Sequence, residues 1–320
     1  MHAPDMSPAD AAARDARYRR LLAVSEGLPP VTLAVVHPCD AESLAGAMLT
    51  RSAGIALPVL VGPEWRIRAV AEEHGIDVDG VEIVDVEHSH AAAAKAVELC
   101  HELRCEAMMK GSLHSDELLG AVVDKTTGLR TGRRISHVFV ADVPTYPQPL
   151  MITDAAINIE PTLEEKADIV RNAIDLAHAM GLAEPKVAIL SAVETVTPKL
   201  KSTIDAACLC KMADRGQITG GVLDGPLAFD NAISLLAAKT KGIVSPVAGK
   251  ADILIVPDIE SGNMLAKQLE YLANALLCGI VLGARVPIVL TSRADDARTR
   301  AASCAIAQLL AHRKRTALQP

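Results

Sequence analysis

Short apolar runs that alternate with helical segments constrain the fold of this chain more than any other feature. Most of the runs are rich in valine, isoleucine and leucine, which is typical of strands buried on both faces of a parallel sheet. They fall at Val31–Val36, Leu57–Val61, Val81–Val86, Glu106–Met109, His137–Ala141, Leu150–Thr153, Lys186–Leu190, Gly221–Leu223, Asp252–Val256 and Pro287–Leu290. This βαβα alternation predicts an α/β fold in which helices cover both faces of the sheet.

One of the intervening helices has clear ends in the sequence. Thr162 and Glu165 form a capping-box pattern, and an apolar helical pattern follows. The pattern continues to about Met180, and Gly181 is a suitable residue for ending the helix there.

Composition narrows the classes of function. The chain has 320 residues, a net charge of −7 and no apolar run long enough to cross a membrane, so we expect neither a nucleic-acid surface nor a membrane span. Its seven cysteines are scattered, without the spacing of a zinc site, and we expect no metal. An odd number of cysteines and no signal peptide favour reduced thiols in the cytoplasm.

The polar turn after Pro287–Leu290 is the strongest sign of a functional site. Ser292 and Arg293 stand side by side where this strand ends, and Asp295 follows. In open α/β sheets, ligands bind outside the carboxyl ends of the strands. A fixed cation beside a hydroxyl suits an anionic substrate or an oxyanion that develops during a reaction.

Two basic segments are candidates for binding phosphate. Lys110 and Gly111 follow the strand Glu106–Met109, where glycine permits close approach of the backbone and lysine supplies a charge. Arg130 and Arg133 lie in a glycine-containing loop, and arginine binds phosphate through paired donors. The alternatives are an ordinary turn with a solvated lysine and a solvated basic loop.

Two further strand ends carry polar side chains. Asp154 and Asn158 follow Leu150–Thr153 and either orient a substrate or, as is commoner for these residue types, cap a helix. Gly262 and Asn263 lie where a helix opens after the strand Asp252–Val256, and exposed backbone N–H groups there suit a phosphate or carbonyl oxygen. The chain has no phosphate-loop, nucleophile-elbow or dinucleotide fingerprint.

In their order along the chain, these segments resemble the phosphate acetyl/butyryltransferase family, and most closely its phosphate butyryltransferases. The resemblance covers residues 108–296 and rests on MKGSL, AVVDKTTGLRTGRRISHV, VPTYPQPLMITDAAINI, SAVETVTPKLKSTIDAA, KMADRGQITGGVLDGPLAFDNAIS, ADILIVPDIESGN and PIVLTSRAD. Residues 1–100 match the family more loosely, mainly in the rhythm of their strands.

The resemblance implies a fold shared with isocitrate and isopropylmalate dehydrogenases, in which two α/β/α domains flank a cleft. The first domain would comprise residues 1–143 and 285–320, and the second would be an insertion of residues 144–284 that carries a homodimer contact. Three prolines within residues 144–149 interrupt the chain near the first of these junctions.

The resemblance also implies a reaction, in which acyl-CoA and phosphate exchange with acyl phosphate and CoA through a ternary complex. The acyl group would be short, butyryl-like or acetyl, and CoA would be a substrate rather than a permanently bound cofactor. Ser292 and Arg293 match the Ser-Arg pair of the family. Arg293, with Arg130 or Arg133, would hold phosphate while Ser292 binds the thioester.

One departure from the family concerns the base that accepts the proton of the CoA thiol. Phosphate acetyltransferases place an aspartate seven residues after the serine, and Thr299 occupies that position here. Asp295 and Asp296 lie nearby, and Asp295 is the candidate chosen to take its place. Two alternatives stay open. One is a CoA- or phosphate-binding module without catalysis, which the missing aspartate supports, and the other is a metal- and NAD-dependent decarboxylating dehydrogenase of the same fold.

Overall fold

The chain forms two compact α/β units. The structure is a computed structural model that describes residues 8–292 and 295–317. Unit 1 comprises residues 1–131 and 278–320, and unit 2 comprises residues 132–277. Within the described residues, no helix is both long enough and apolar enough to cross a membrane.

The strands follow the alternation seen in the sequence. They are β1 (Val31–Val36), β2 (Ala56–Gly62), β3 (Glu82–Asp85), β4 (Ala107–Lys110), β5 (Ser136–Asp142), β6 (Leu150–Thr153), β7 (Lys186–Leu190), β8 (Val222–Leu227), β9 (Ile253–Ile255), β10 (Leu276–Leu282) and β11 (Ile288–Val289).

Helices connect most of these strands. They are α1 (Pro8–Leu22), α2 (Ala41–Ser52), α3 (Glu64–His74), α4 (Ser89–His101), α5 (Ser115–Val123), α6 (Leu163–Ala179), α7 (Lys201–Asp214), α8 (Phe229–Ile233), α9 (Leu235–Thr240), α10 (Ile259–Leu272) and α11 (Ala297–Ala317). Thr162 and Glu165 form the capping box of α6, in which each side chain accepts the backbone N–H of the other residue, as the sequence predicts.

The sheet of unit 1 has the strand order β3-β2-β1-β4-β11-β10. All neighbours in it are parallel except β10, which runs antiparallel to β11. Adjacent residues such as Met108 and Met109 point to opposite faces of a strand, and both are fully buried. The sheet is therefore covered on both faces, as the continuous apolar runs predict.

The sheet of unit 2 has the order β5-β6-β9-β7-β8, with β5 antiparallel to β6 and the other neighbours parallel. Ile152 and Leu254 pack in a core with residues of α8, α9 and α10. Their sequence neighbours Met151 and Ile253 point to the opposite face and are equally buried. Both units therefore have the α/β architecture expected from the sequence.

The structure differs from the sequence-based expectation at one strand and at the unit boundaries. The apolar run Leu276–Leu282 forms β10, which the strand analysis missed although the run has no charged residue. The sequence predicts junctions after residues 143 and 284, whereas the units divide after residues 131 and 277. The first difference arises because β5 pairs with β6 and so belongs to unit 2.

Candidate active site

Three neighbouring strand ends in unit 1 bring predicted site residues together. Strands β1 and β11 both pair in parallel with β4, so their carboxyl ends lie at the same edge of the sheet. Val36 is in register with Lys110, and Val289 with Met109. The turns that contain Gly111 and Ser292 therefore leave adjacent strands at this edge, the position at which open α/β sheets bind ligands.

Gly111 is required by the close approach of two backbones. A Cβ atom at this position would lie 2.5 Å from the carbonyl oxygens of both Val36 and His37. The next residue, Ser112, donates its hydroxyl to the carbonyl oxygen of His37 at 2.9 Å. Glycine therefore allows the ends of β1 and β4 to pack closely, and only a residue without a side chain fits at this position.

The lysine at this edge is not the solvated side chain of an ordinary turn. Lys110 is only 3% exposed, and its Nζ lies 3.5 Å from the carbonyl oxygen of Gly111. A charge held at a buried strand end acts on its surroundings far more strongly than one in water. The local geometry thus suits interaction with an anion.

The Ser292 turn is closed by Asp295. The backbone N–H of Ser292 donates to Oδ2 of Asp295 at 2.7 Å, and the N–H of Asp295 donates to the carbonyl oxygen of Ser292 at 3.2 Å. Asp296 caps α11 by accepting the N–H of Thr299 at 2.8 Å. Arg293, the predicted partner of Ser292, lies outside the described residues.

A buried arginine that the sequence analysis did not select binds both strand ends. Nη1 of Arg300 donates to the Lys110 carbonyl oxygen at 3.2 Å and to Oγ1 of Thr291 at 2.8 Å. Nη2 donates to the carbonyl oxygen of Ser292 at 3.1 Å. The available signal was a charged residue in the run Arg300–Ala311 of α11, which is otherwise apolar at most positions.

His37 follows β1 in a left-handed backbone conformation, with φ of 54°. Its Nδ1 lies 3.1 Å from Oγ of Ser112. Burial, and then the positive charge of Arg66, lower the pKa of His37 below its usual value. The lowered pKa favours the neutral imidazole at pH 7.

The structure does not bring Arg130 to Ser292. Arg130 forms a bridge with Ala284, which precedes β11, and the N–H of Arg285 donates to the carbonyl oxygen of Leu129 at 2.8 Å. Arg130 therefore lies at the amino end of β11, whereas Ser292 follows its carboxyl end. Its side chain is exposed, as expected for a solvated basic loop.

In unit 2, Asp154 organises the loop that follows β6. Its Oδ1 accepts the backbone N–H groups of Ala156 and Ile157 at 2.9 and 3.0 Å. Its Oδ2 accepts the N–H of His137 at 3.2 Å and Nδ2 of Asn158 at 2.5 Å. The carboxylate thus accepts hydrogen bonds from the loop backbone. This resembles the helix-capping role that the sequence offered as an alternative to substrate binding.

Arg134, which was not selected as a site residue from the sequence, reaches this loop. Nε of Arg134 donates to Oδ1 of Asn158 at 2.6 Å, and its Nη1 lies 3.0 Å from Oε1 of Glu165. Arg133 forms an ion pair with Asp175 in α6. Sequence reasoning recognised the basic run but had no basis for choosing between two adjacent arginines.

Gly262 and Asn263 hold the start of α10 against the same loop. A Cβ atom on Gly262 would lie 2.7 Å from Cγ2 of Val256 and 2.9 Å from the carbonyl oxygen of Asp154. Nδ2 of Asn263 donates to the carbonyl oxygen of Ala155 at 3.2 Å. The four predicted residues Asp154, Asn158, Gly262 and Asn263 therefore form one cluster at the carboxyl ends of β6 and β9.

The described residues show neither a reactive cysteine thiol nor a cluster of possible metal ligands. The cysteines of the described residues form no disulfide, and burial raises the pKa of the thiols of Cys39 and Cys105 to about 11 and of Cys100, Cys210 and Cys304 to about 12. Thiols with such pKa values are poor nucleophiles at neutral pH. In the part of the chain that the structure describes, no group of three or more His, Cys, Asp or Glu side chains is arranged to hold a metal ion.

Comparison with known families and proteins points to one kind of chemistry. Residues 89–308 match the family described as "Phosphate acetyl/butaryl transferase". A phosphate acetyltransferase of Rhizobium meliloti is 64% identical over 95% of this chain and 96% of its own length. A phosphate butyryltransferase of Clostridium acetobutylicum is 44% identical over 91% of this chain and 96% of its own length.

Solved structures agree with these sequence matches. A branched-chain phosphotransacylase from Enterococcus faecalis superposes with a TM-score of 0.78 at 29% identity, covering 88% of this chain and 99% of that one. A 4-hydroxythreonine-4-phosphate dehydrogenase from Klebsiella pneumoniae has a TM-score of 0.52 at 12% identity, over 88% of this chain and 99% of its own. The second likeness concerns the fold alone.

Proposed function

Since this chain belongs to the phosphate acetyl/butyryltransferase family, we propose that it converts acetyl-CoA and phosphate into acetyl phosphate and CoA, and catalyses the reverse reaction. The observation that carries this proposal is the 64% identity with the Rhizobium meliloti phosphate acetyltransferase. The motifs suggested a butyryltransferase first, but the butyryltransferase of Clostridium acetobutylicum is only 44% identical. Acetyl is therefore the proposed acyl group, with butyryl second.

Ser292 is the proposed donor to the reacting thioester. Asp295 holds its backbone N–H, and Arg300 holds its carbonyl oxygen, so the turn has a defined position beside the end of β4. A hydroxyl placed in this way can donate to the carbonyl oxygen as negative charge develops on it. Such an interaction strengthens in the transition state and therefore raises kcat.

Arg293 and Lys110 are the proposed phosphate-binding residues of unit 1. Arginine offers paired donors to phosphate, and the buried ammonium of Lys110 provides a strong local charge in a chain whose net charge is −7. Arg130 is left out of this proposal because it lies at the other end of β11. Arg133, Asp154, Asn158, Gly262 and Asn263 remain proposed substrate-binding residues of unit 2.

Direct transfer in a ternary complex is the proposed course of the reaction. An oxygen of hydrogen phosphate attacks the thioester carbon, the C–S bond breaks, and the proton that the phosphate gives up passes to the thiolate by way of Asp295. In the reverse direction Asp295 accepts the proton of the CoA thiol. Holding both substrates in attack geometry supplies about 7–11 kcal/mol of such a barrier.

An acyl-exchange assay tests the proposed activity. The enzyme receives phosphate and one acyl-CoA from a series running from acetyl to hexanoyl, and thiol release is followed. We expect turnover with the highest kcat/KM for acetyl-CoA. CoA binding without thiol release would instead support the non-catalytic module, and metal-dependent reduction of NAD with a hydroxy acid would support the dehydrogenase.

Two substitutions test the assigned roles. Arg293→Ala should lower turnover severely, and near-normal turnover would contradict its role in binding phosphate. Asp295→Asn keeps an oxygen that can accept the N–H of Ser292 but cannot take a proton at neutral pH. If Asp295 is the base, this variant loses the reaction of acetyl phosphate with CoA although the turn is preserved.

The proposal also covers the fold family, the use of CoA, the cellular compartment and the oligomeric state. The fold would be that of the isocitrate and isopropylmalate dehydrogenases. The likeness in fold to the 4-hydroxythreonine-4-phosphate dehydrogenase supports this expectation. CoA would act as a substrate, with no permanently bound cofactor. The enzyme would work in the cytoplasm as a homodimer.

A further inference from the structure

Arg300 makes an unusual set of contacts for a buried charge. The residue is 1% exposed, and its three hydrogen bonds go to uncharged oxygens of Lys110, Thr291 and Ser292. Its Nε has no hydrogen-bond partner in the part of the chain that the structure describes. Burying a guanidinium in this way is costly, so the contacts are poorly explained by stability alone.

Through these three contacts, Arg300 connects the ends of β4 and β11. Lys110 ends β4, and Thr291 and Ser292 follow β11, so a single rigid group spans two adjacent strand ends. The planar fork of arginine fixes the directions of its donors, which a lysine ammonium does not do. Arg300 thereby sets the position of the Ser292 turn relative to the end of β4.

Helix α2 is shaped to admit this side chain. A Cβ atom on Gly46 would lie 3.0 Å from both Cβ and Cδ of Arg300. Gly46 is in the interior of α2, where glycine is unfavourable for the helix. The glycine therefore leaves space for Arg300 at the expense of helix propensity.

We propose that Arg300 is a positioning residue for acyl transfer, which acts by holding Ser292 and Lys110 in their reactive arrangement. The inference rests on the proposed function, since it assigns Arg300 a part in that reaction. Arg300 does not contact substrate in this scheme. It acts through the two carbonyl oxygens and the Thr291 hydroxyl.

Replacement by lysine is the first test. Arg300→Lys keeps the charge and the length of the side chain but loses the fork. We expect kcat to fall about 100-fold, because a misplacement of about 1 Å costs that much, while KM for acetyl-CoA stays near the wild-type value. In Arg300→Ala, free guanidinium at low, non-denaturing concentration should restore part of the lost kcat.

A substitution that leaves every polar group in place is the second test. Gly46→Ala presses on the stem of Arg300 and should lower kcat without lowering the melting temperature, because alanine favours the helix. Gly120→Ala in α5 is the matched control, since a Cβ atom there has no neighbour within 4 Å. The control should keep wild-type kcat.

The outcomes separate this inference from the proposed function. If wild-type enzyme releases no thiol from any acyl-CoA, the proposed function fails. If wild-type enzyme is active and folded Arg300→Lys and Gly46→Ala keep its kcat, the positioning role alone is refuted. A fall in melting temperature with unchanged kcat would likewise show that Arg300 is purely structural.

Discussion

Polar residues at the unit 1 edge mostly bind backbone atoms, and this leaves few side chains for chemistry. Asp295 takes the N–H of Ser292, Ser112 donates to the carbonyl oxygen of His37, and Arg300 donates to two carbonyl oxygens. These bonds fix the shape of the edge. The proposed chemical roles at this edge belong to the side chains of Ser292, Arg293 and Lys110.

Removing that hydroxyl is the most direct test at the level of a single residue. We expect Ser292→Ala to lower kcat by about 100-fold, the usual effect of losing one donor to a developing oxyanion. The backbone bonds of Ser292 to Asp295 and Arg300 do not need the hydroxyl, and the melting temperature of the variant separates an effect on catalysis from an effect on folding. Ser52→Ala, at an exposed serine of α2, is the matched control.

The protonation of His37 can be predicted from its neighbours. The single proton of the Ser112 hydroxyl is donated to the carbonyl oxygen of His37, so Nδ1 of the imidazole must donate to the Ser112 oxygen. We expect the neutral tautomer with hydrogen on Nδ1. Because burial and Arg66 lower the pKa of His37, the ring should take a second proton only below pH 6.5.

Nitrogen NMR of histidine-labelled protein measures both properties in one titration. His37→Gln assigns the signal. Ser112→Ala should weaken the preference for hydrogen on Nδ1. A ring that protonates above pH 6.5, or carries its hydrogen on Nε2, would contradict the hydrogen-bond scheme.

At the level of elements, Glu106 links β1 with α11. Its carboxylate accepts the N–H of Thr32 at 3.2 Å and pairs with Arg315. Burial alone would raise the pKa of Glu106, but the bonds from Arg315 and Thr32 outweigh it and the pKa is lowered. The link should therefore stabilise the fold above the usual pKa of about 4.5 and lose its effect as pH falls through the lowered pKa.

Urea unfolding of Glu106→Gln at several pH values tests the predicted direction of this pH dependence. At pH 7 the variant should be about 1 kcal/mol less stable than wild type, since the pair is partly exposed. The difference should shrink steadily as the pH falls below 4.5. Glu73→Gln, at an exposed carboxylate of α3 in the same unit, is the matched control, and a constant difference for Glu106→Gln would refute the link.

For the molecule as a whole, unit 2 has an apolar face that suits the proposed homodimer. Met264, Tyr271 and Leu272 are 58%, 67% and 83% exposed, and their spacing places them on one side of α10. A cluster of this kind is typical of a surface that contacts another protein. A second copy of the chain is the proposed occupant.

Light scattering during gel filtration measures the outcome. We expect wild-type enzyme to have twice the chain mass of 33.7 kDa and Leu272→Lys to shift toward the monomer. Leu103→Lys is the matched control, because Leu103 is equally exposed, at 87%, but lies in unit 1. A monomeric wild type, or dimers in both variants, would refute this assignment of the interface.

The sequence by itself determined the features that depend on neighbouring residues. Strands β1, β6 and β7 and the cap of α6 lie where the sequence places them, because apolar periodicity and capping chemistry act over a few residues. The polar residues after these strands, and the motifs that reveal the family, are likewise local patterns. They identified Lys110, Gly111 and Ser292 as candidate site residues, each at the end of a predicted strand.

Only the tertiary structure decided which of these groups meet. Arg300 binds Lys110 across 190 positions of sequence, and Arg130 is attached beside Ala284 at the wrong end of β11 for Ser292. The pairing of distant strands sets such contacts, and the choice of which strands pair leaves no repeating signal along the chain. The same reason explains why Arg134 rather than Arg133 reaches Asn158, although both belong to one basic run.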